Sequence, residues 1–399
     1  MSGAETAVTA AIGGDRAGAH DTARARVAVA AIFFVNGAAF ASWVPHIPTV
    51  QARIGAGAGA LGLALLAMAV GALLTMPLTG WLVGRHGSRR VVVWASLAYC
   101  LLTPLAVMSQ SLSALAGALL LLGMANGAMD VSMNAHGVAV ECRIARPVMS
   151  SLHALYSLGG LAGAGVAALV LGMGAPPIPH MVSIAVVSLL AVLAVWPRLL
   201  PADADTDSGA GGPRFAVPRG PLLPMGIAAF GIMMTEGAMA DWSAVYLRND
   251  LAASPAMAAA GFAAFSLTMA AGRLVGDRLV ARFGEIVVVR TGAALAAAGL
   301  GTALLLHHPW AAVAGFACVG LGVANIIPVL FRASGLIPGI PSGTGIAALT
   351  TMGYCGFLAG PPLVGFAADV VGLPLALGVP AALTAMVAVR AGVLRKARL

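Results

Sequence analysis

Charge is scarce in this 399-residue chain. Only 9% of residues are charged, against about 25% in soluble domains, and the mean hydropathy is +0.96. That scarcity excludes a globular enzyme with a solvated surface. Lysine is nearly absent: of 22 basic residues only Lys396 is one. The arginines lie in short loops, with no basic helix face and no interleaved aromatics, so the net charge of +8 does not point to nucleic acid. The four cysteines (Cys100, Cys142, Cys318, Cys355) have no CxxC or CxxH spacing, which argues against a metal centre or a disulfide framework. No nucleophile–base pair stands out, so neither an enzyme nor a cofactor is expected. The longest polar stretches, 1–26 and 198–221, leave no room for the soluble output domain of a sensor.

What is present is apolar sequence in long runs. Twelve segments can be laid out, at about 27–48, 58–84, 90–108, 112–139, 148–171, 180–197, 222–246, 255–280, 286–306, 310–331, 342–367 and 373–394, each near the roughly 20 residues that cross a bilayer. The first run is longer than a signal-peptide core and lacks an evident cleavage site, so it is expected to stay as span 1. The expectation is an all-α membrane protein with twelve transmembrane helices. Residues 1–26 form a tail, 27–197 a first six-helix half, 198–221 a polar linker with Asp203, Asp205 and Asp207, 222–394 a second half, and 395–399 a second tail. Arginines crowd the ends that would be cytoplasmic if the N-terminus is inside; the opposite loops keep only Arg53 and Arg248. Both termini are therefore expected in the cytoplasm. The arginine and alanine bias reads as a GC-rich bacterial genome, which would place the chain in the inner membrane.

The halves echo each other. Gly80-Trp-Leu-Val-Gly-Arg85 returns as Gly272-Arg-Leu-Val-Gly-Asp-Arg278, Asn36-Gly-Ala as Glu236-Gly-Ala, and Asn134 as Asn325, at offsets of 192, 200 and 191. Gly80, Arg85, Gly87, Arg89 and Arg90 resemble the loop 2–3 signature of the major facilitator superfamily, a resemblance that covers essentially the whole chain. Gly84 stands where the signature has an acid, and the second copy keeps one at Asp277 beside Arg278. The resemblance implies two pseudo-symmetric six-helix halves, and a charge clamp at the cytoplasmic helix ends, with Arg273 a turn before Asp277. These arginines could equally be topogenic only. Span 4 is similar to the fucose permease branch, where an acid precedes Asn by four residues, as in Asp130-Val-Ser-Met-Asn134. That branch's second acid, in span 1, is replaced by Ala41. The longer string Met129 to Gly137, with Glu141, Arg146, Pro147, Met149, Ser150 and His153, resembles an uncharacterised bacterial inner-membrane subgroup that includes a rhizopine-cluster membrane protein.

Asp130 is the only charge between Leu112 and Val140. Such a residue costs about 2.5–3.5 kcal/mol at the bilayer centre on insertion scales, and it is usually paired, cavity-facing and functional. Helical spacing sets Asn126, Asp130 and Asn134 on one face. The resemblance implies that spans 1, 4, 7 and 10 line a central cavity. The candidate substrate-binding residues are then Asn36, Trp43, Asn126, Asp130, Asn134, Glu236, Asp241, Trp242 and Asn325. Desolvation disfavours a carboxylate's charged form, so such acids can exchange protons. Asp130 and Glu236 are the candidate proton-coupling groups, and His153 a relay or a packing residue. Gly356-Phe-Leu-Ala-Gly-Pro-Pro362 in span 11 reads as close helix packing with a kink. These residues point to a secondary transporter, proton-coupled, that moves a small sugar- or polyol-like solute as a monomer in the lipid bilayer. A proton-driven exporter of drugs or metabolites is the alternative.

Overall fold

In lipid, backbone N–H and C=O groups must pair within their own segment, so long apolar runs become helices. The computed structural model describes residues 3–144, 148–201, 218–335, 337, 338, 340 and 342–392. Twelve of its helical spans are long and apolar enough to cross a membrane. They are Thr22–Ile54, Ala58–His86, Ser88–Met108, Leu112–Ile144, Ser151–Gly172, Pro177–Arg198, Leu222–Asp250, Pro255–Phe283, Glu285–Leu306, Pro309–Ser334, Ala348–Val371 and Leu373–Arg390, here spans 1 to 12. No strand occurs among the described residues. Leu169, Leu305 and Val370 are among the large apolar side chains left exposed on the outside, as a lipid-facing surface requires. The first helix runs from Gly3 to Trp43, so it begins well inside the stretch expected as a tail. Arg146, Pro147, most of the linker and the 395–399 tail lie outside the described residues.

Prolines break the spans near their ends, because each removes a backbone donor. Span 1 tightens to a 3-10 turn at Val44–His46 beside Pro45 and resumes at Ile47–Ile54. Span 10 breaks at Asn325, between Pro309–Val323 and Ile326–Ser334.

Small residues carry the packing inside each half. Gly123 and Gly127 of span 4 lie on the backbone of Met68 and Ala72 in span 2. Gly159 and Gly163 of span 5 lie on the Phe34 and Ala38 carbonyls of span 1. With no apolar driving force between helices in lipid, such close approach is what holds them together. The second half repeats these contacts. Thr75 Oγ1 donates to the Met124 carbonyl at 3.0 Å, and Thr268 Oγ1 donates to the Ala317 carbonyl at 2.7 Å, each bond bridging 49 residues. Thr75 and Thr268 differ by 193 positions. Gly356 lies on the Phe230 carbonyl as Gly159 lies on that of Phe34, which relates spans 1 and 7 by 196 positions and spans 5 and 11 by 197.

This register keeps Arg85 opposite Arg278 and Gly84 opposite Asp277. It corrects two pairings drawn from the sequence. Asn36 corresponds to Ile232, and Glu236 to Phe40, one helical turn from the expected match. Asn134 corresponds to Ile327, and Asn325 to Ser132. Asn-Gly-Ala and Glu-Gly-Ala are alike because both helices need small residues at that depth, one turn apart.

The halves meet tightly at the end that carries loops 1–2, 7–8 and 11–12, called here the far end. Asp369 of span 11 accepts from the Gly59 backbone N–H at 2.9 Å, capping the start of span 2. Asn249 Nδ2 donates to Gln51 Oε1 at 3.1 Å. Gly62 lies against the Pro361 carbonyl, and Gly365 against that of Ala58. At the other end of span 2, Gly80 and Gly84 meet no atom within 4 Å of where a Cβ would stand.

Candidate functional site

Between the halves lies a cavity of about 310 Å³. Span 7 turns Met233, Glu236, Ala240 and Asp241 toward it, spaced as one helical face. Trp242 follows Asp241 by about 100° of rotation and lies outside the lining, fully buried with its indole N–H unpartnered. It is therefore not a cavity residue, contrary to expectation. Trp43 does line the cavity, close to the break in span 1.

Span 4 supplies Asn126 and Asp130. Asn134, on the same helical face, stands one turn beyond the lining. Its Nδ2 donates to Asp130 Oδ1 at 3.1 Å and to the Asp130 carbonyl at 2.8 Å. Asn36 also lies behind the wall, donating to Asn126 Oδ1 at 3.1 Å. These two amides orient the residues in front of them and do not line the cavity.

Arg273 is placed differently from its sequence reading. It lines the cavity, 3.8 Å from Glu236, and donates to Ser157 Oγ at 3.4 Å. Since Ser157 belongs to the first half, the guanidinium bridges both halves at mid-depth. Asn325 is the reverse case. It donates to the Gly272 carbonyl at 2.9 Å and packs on Gly276, outside the cavity lining, so it serves the break in span 10. The lining comes from spans 1, 2, 4, 5, 7, 8 and 11, and span 10, expected from the resemblance, is not among them. His153 is edge-on to Phe33 at 5.3 Å and is not a lining residue.

Several lining groups escaped sequence reasoning, Phe40 and Phe262 among them. Tyr354, Phe357 and Phe265 bring rings from spans 11 and 8. The usable signal was the polar aromatic Tyr354 in an otherwise apolar run. The Gly356–Pro362 string does pack closely, through Gly356, and also supplies Phe357, Leu358 and Pro361 to the wall.

Among the described residues, the loop 2–3 signature forms no clamp across the halves in this conformation. The Arg85 guanidinium lies 5.4 Å over Trp81 of its own helix, and Arg89 reaches the Trp196 carbonyl at 3.5 Å. Arg90, Asp277 and Arg278 are exposed. Gly87 and Gly284, at φ 77° and 81°, turn the chain into spans 3 and 9, in the left-handed region that suits glycine. Near those turns, His136 meets Ser88 Oγ at 2.8 Å and accepts from Leu200 N–H at 3.2 Å, while Glu285 faces Arg332 at 3.9 Å. Glu141 accepts from the Val148 and Met149 N–H groups at 2.6 and 3.0 Å and so caps the helix of span 5. His46 and His180 share a buried N···N contact of 2.8 Å that ties the broken end of span 1 to span 6.

A cavity at the interface of two repeated helical halves, lined by acids, one arginine and aromatic rings, is the arrangement of secondary transporters. The chain is 38% identical over 359 residues to an uncharacterised MFS-type transporter of Yersinia pestis, covering 90% of this chain and 93% of the relative. It is 36% identical over 353 residues to the membrane protein MosC of Rhizobium meliloti, covering 88% and 85%. The fold is like that of the nucleoside transporter NupG, at a TM-score of 0.74, 12% identity, and coverage of 93% and 99%. It is also like that of a bacterial homologue of the lysosomal transporter Spinster in an inward-facing, occupied conformation, at a TM-score of 0.73, 12% identity, and coverage of 93% and 96%. The model of the Major Facilitator Superfamily matches residues 29–328 and 225–398. The chain is therefore a multi-pass membrane transporter that belongs to the major facilitator superfamily.

Proposed function

We propose that the chain is a proton-coupled secondary transporter that moves a small polar solute, sugar- or polyol-like, by alternating access. The observation that carries this reading is the braced acid Asp130. It lies at mid-span, faces the cavity, and is held by Asn134 beside an equally braced Asn126. An acid fixed among amides can both exchange a proton and hold hydroxyl groups. Glu236, against Arg273, is the second coupling acid. The distribution of arginines supports both termini on the cytoplasmic side of a bacterial inner membrane. The tight far end is then periplasmic, and the arrangement is inward-facing. In the opposite state, Gly80, Arg85, Gly87, Arg89, Arg90, Asp277 and Arg278 close the cytoplasmic ends of the helices. The chain works as a monomer, since the cavity is complete within one copy.

Proteoliposome uptake under an imposed proton gradient tests this. Wild type accumulates solute above equilibrium, and Asp130→Asn equilibrates it without accumulation. Retained accumulation in the variant would overturn the mechanism.

A drug or metabolite exporter is the second reading. It is favoured by the rings and methionines gathered in the wall: Phe262, Phe265, Phe357, Met68, Met233 and Met269. Reduced drug susceptibility on expression, with no sugar or polyol uptake, would select it.

A further inference from the structure

The charges of the cavity do not balance, and the excess has a location. Asp130, Glu236 and Asp241 face it together with a single guanidinium, that of Arg273, which leaves two formal negative charges in excess. Glu236 has Arg273 at 3.8 Å, and Asp130 has Asn134 at 3.1 Å. Among the described residues, the Asp241 carboxylate has neither a hydrogen bond nor an ion pair. It stands five residues beyond Glu236, about 7.5 Å further along the helix at 1.5 Å per residue. That places it toward the far end, where Trp43, Val44 and Phe262 also line the cavity.

A charged carboxylate without a partner in such a site is costly to keep, so it must take a proton or meet a cation. An anionic solute would add to the excess charge. A neutral polyol would satisfy hydrogen bonds and leave Asp241 to take a second proton. A solute with one protonated amine matches the charge, and aromatic faces nearby favour a cation. Charge balance also fits the transport cycle. With one proton on Asp130 and one ammonium on Asp241, the loaded cavity is formally neutral, the state that crosses an occluded low-dielectric intermediate at least cost.

We propose that Asp241 forms an amine subsite, so that the solute is a cationic amino sugar or amino polyol and not a neutral one. This rests on the sugar or polyol reading above.

The test is ligand-dependent melting of the purified protein, at fixed pH near 7. Hexosamines are compared with the corresponding hexoses, with N-acetylhexosamines, and with cyclohexylamine as an amine without hydroxyls. An ammonium–carboxylate contact is worth roughly tenfold in affinity. Wild type should therefore half-saturate with a hexosamine at about one-tenth the concentration needed for the hexose or the N-acetyl compound. Asp241→Asn should erase that difference, and Asp241→Glu should keep part of it. The two variants should melt near wild type without ligand, and if Asp241→Asn fails to fold, the N-acetyl comparison on wild type carries the same decision. Equal half-saturation by hexose and hexosamine on wild type, or a preference that survives in Asp241→Asn, overturns the amine subsite and leaves the polyol reading standing. Cyclohexylamine binding as well as the hexosamine, and through Asp241, keeps the subsite and overturns the polyol reading. No shift with any of the four overturns both.

Discussion

Asp130 could be read from the sequence because it is a lone charge in an apolar run, and the cost of burying it demanded a role. Its neighbours could be read by helical spacing, although spacing gives a face and not a depth. Asn134 and Asn36 share the right faces yet stand behind the wall, as braces. Arg273 was misjudged for a related reason. Its place a turn from Asp277 drew it to the clamp, while a long side chain reaches well away from its own Cα. The Glu236–Arg273 pair yields a prediction at this scale. Removing one member of a fully buried pair costs about 3–5 kcal/mol. With the Arg273 side chain 30% accessible, a cost on the order of 2 kcal/mol is expected after that discount. Arg273→Met should thus lower the melting midpoint, and the double variant Arg273→Met/Glu236→Gln should recover most of the loss. A double variant no more stable than the single would show that the two groups are not coupled.

The elements follow closely from the apolar runs, since twelve spans were expected and twelve occur, with ends shifted by a few residues. Their relation across the repeat was not as readable. Short strings of glycine and alanine recur wherever helices touch, so they match at the wrong turn as readily as at the right one. The hydrogen bonds fix the register instead, through side chains that looked unremarkable in sequence. Thr75 and Thr268 make the same bond in their own halves. Thr75→Val and Thr268→Val should each cost about 0.6 kcal/mol, the typical worth of an interhelical hydrogen bond in a membrane. Their effects on the melting midpoint should agree within error and add in the double variant. A large inequality would mean that the halves are not packed as equivalents.

At the scale of the whole molecule, the far end acts as a seam. Span 11 caps and abuts span 2, and backbone meets backbone at Gly62 and Gly365. At Gly62→Leu the new side chain meets no flexible side chain that could move aside, only the backbone of Pro361 and Pro362. This variant should hold the seam apart. Spin labels on the far ends of spans 2 and 11 should show the separated population become the majority, with distances lengthened by several Å, on the order of one helix radius. An unchanged distribution would show that the seam does not depend on that contact. The seam was not readable in the sequence, because glycine at 62 or 365 looks like glycine anywhere else in the chain.

The two halves also differ where they should be alike. At the turn into span 3, the first half joins Ser88, His136 and Leu200 through hydrogen bonds in a buried setting. At the turn into span 9, the second half sets Glu285 against an Arg332 whose side chain is 68% accessible. Ionic strength acts unequally on these two sets of contacts. An ion pair with an exposed partner weakens as salt is added, and most above 1 M, where the screening length falls to about 3 Å, while a buried neutral hydrogen bond changes little. Alike in their packing, the halves should answer differently to the same solution: high salt should weaken the Glu285–Arg332 contact of the second and spare the His136 hydrogen bonds of the first.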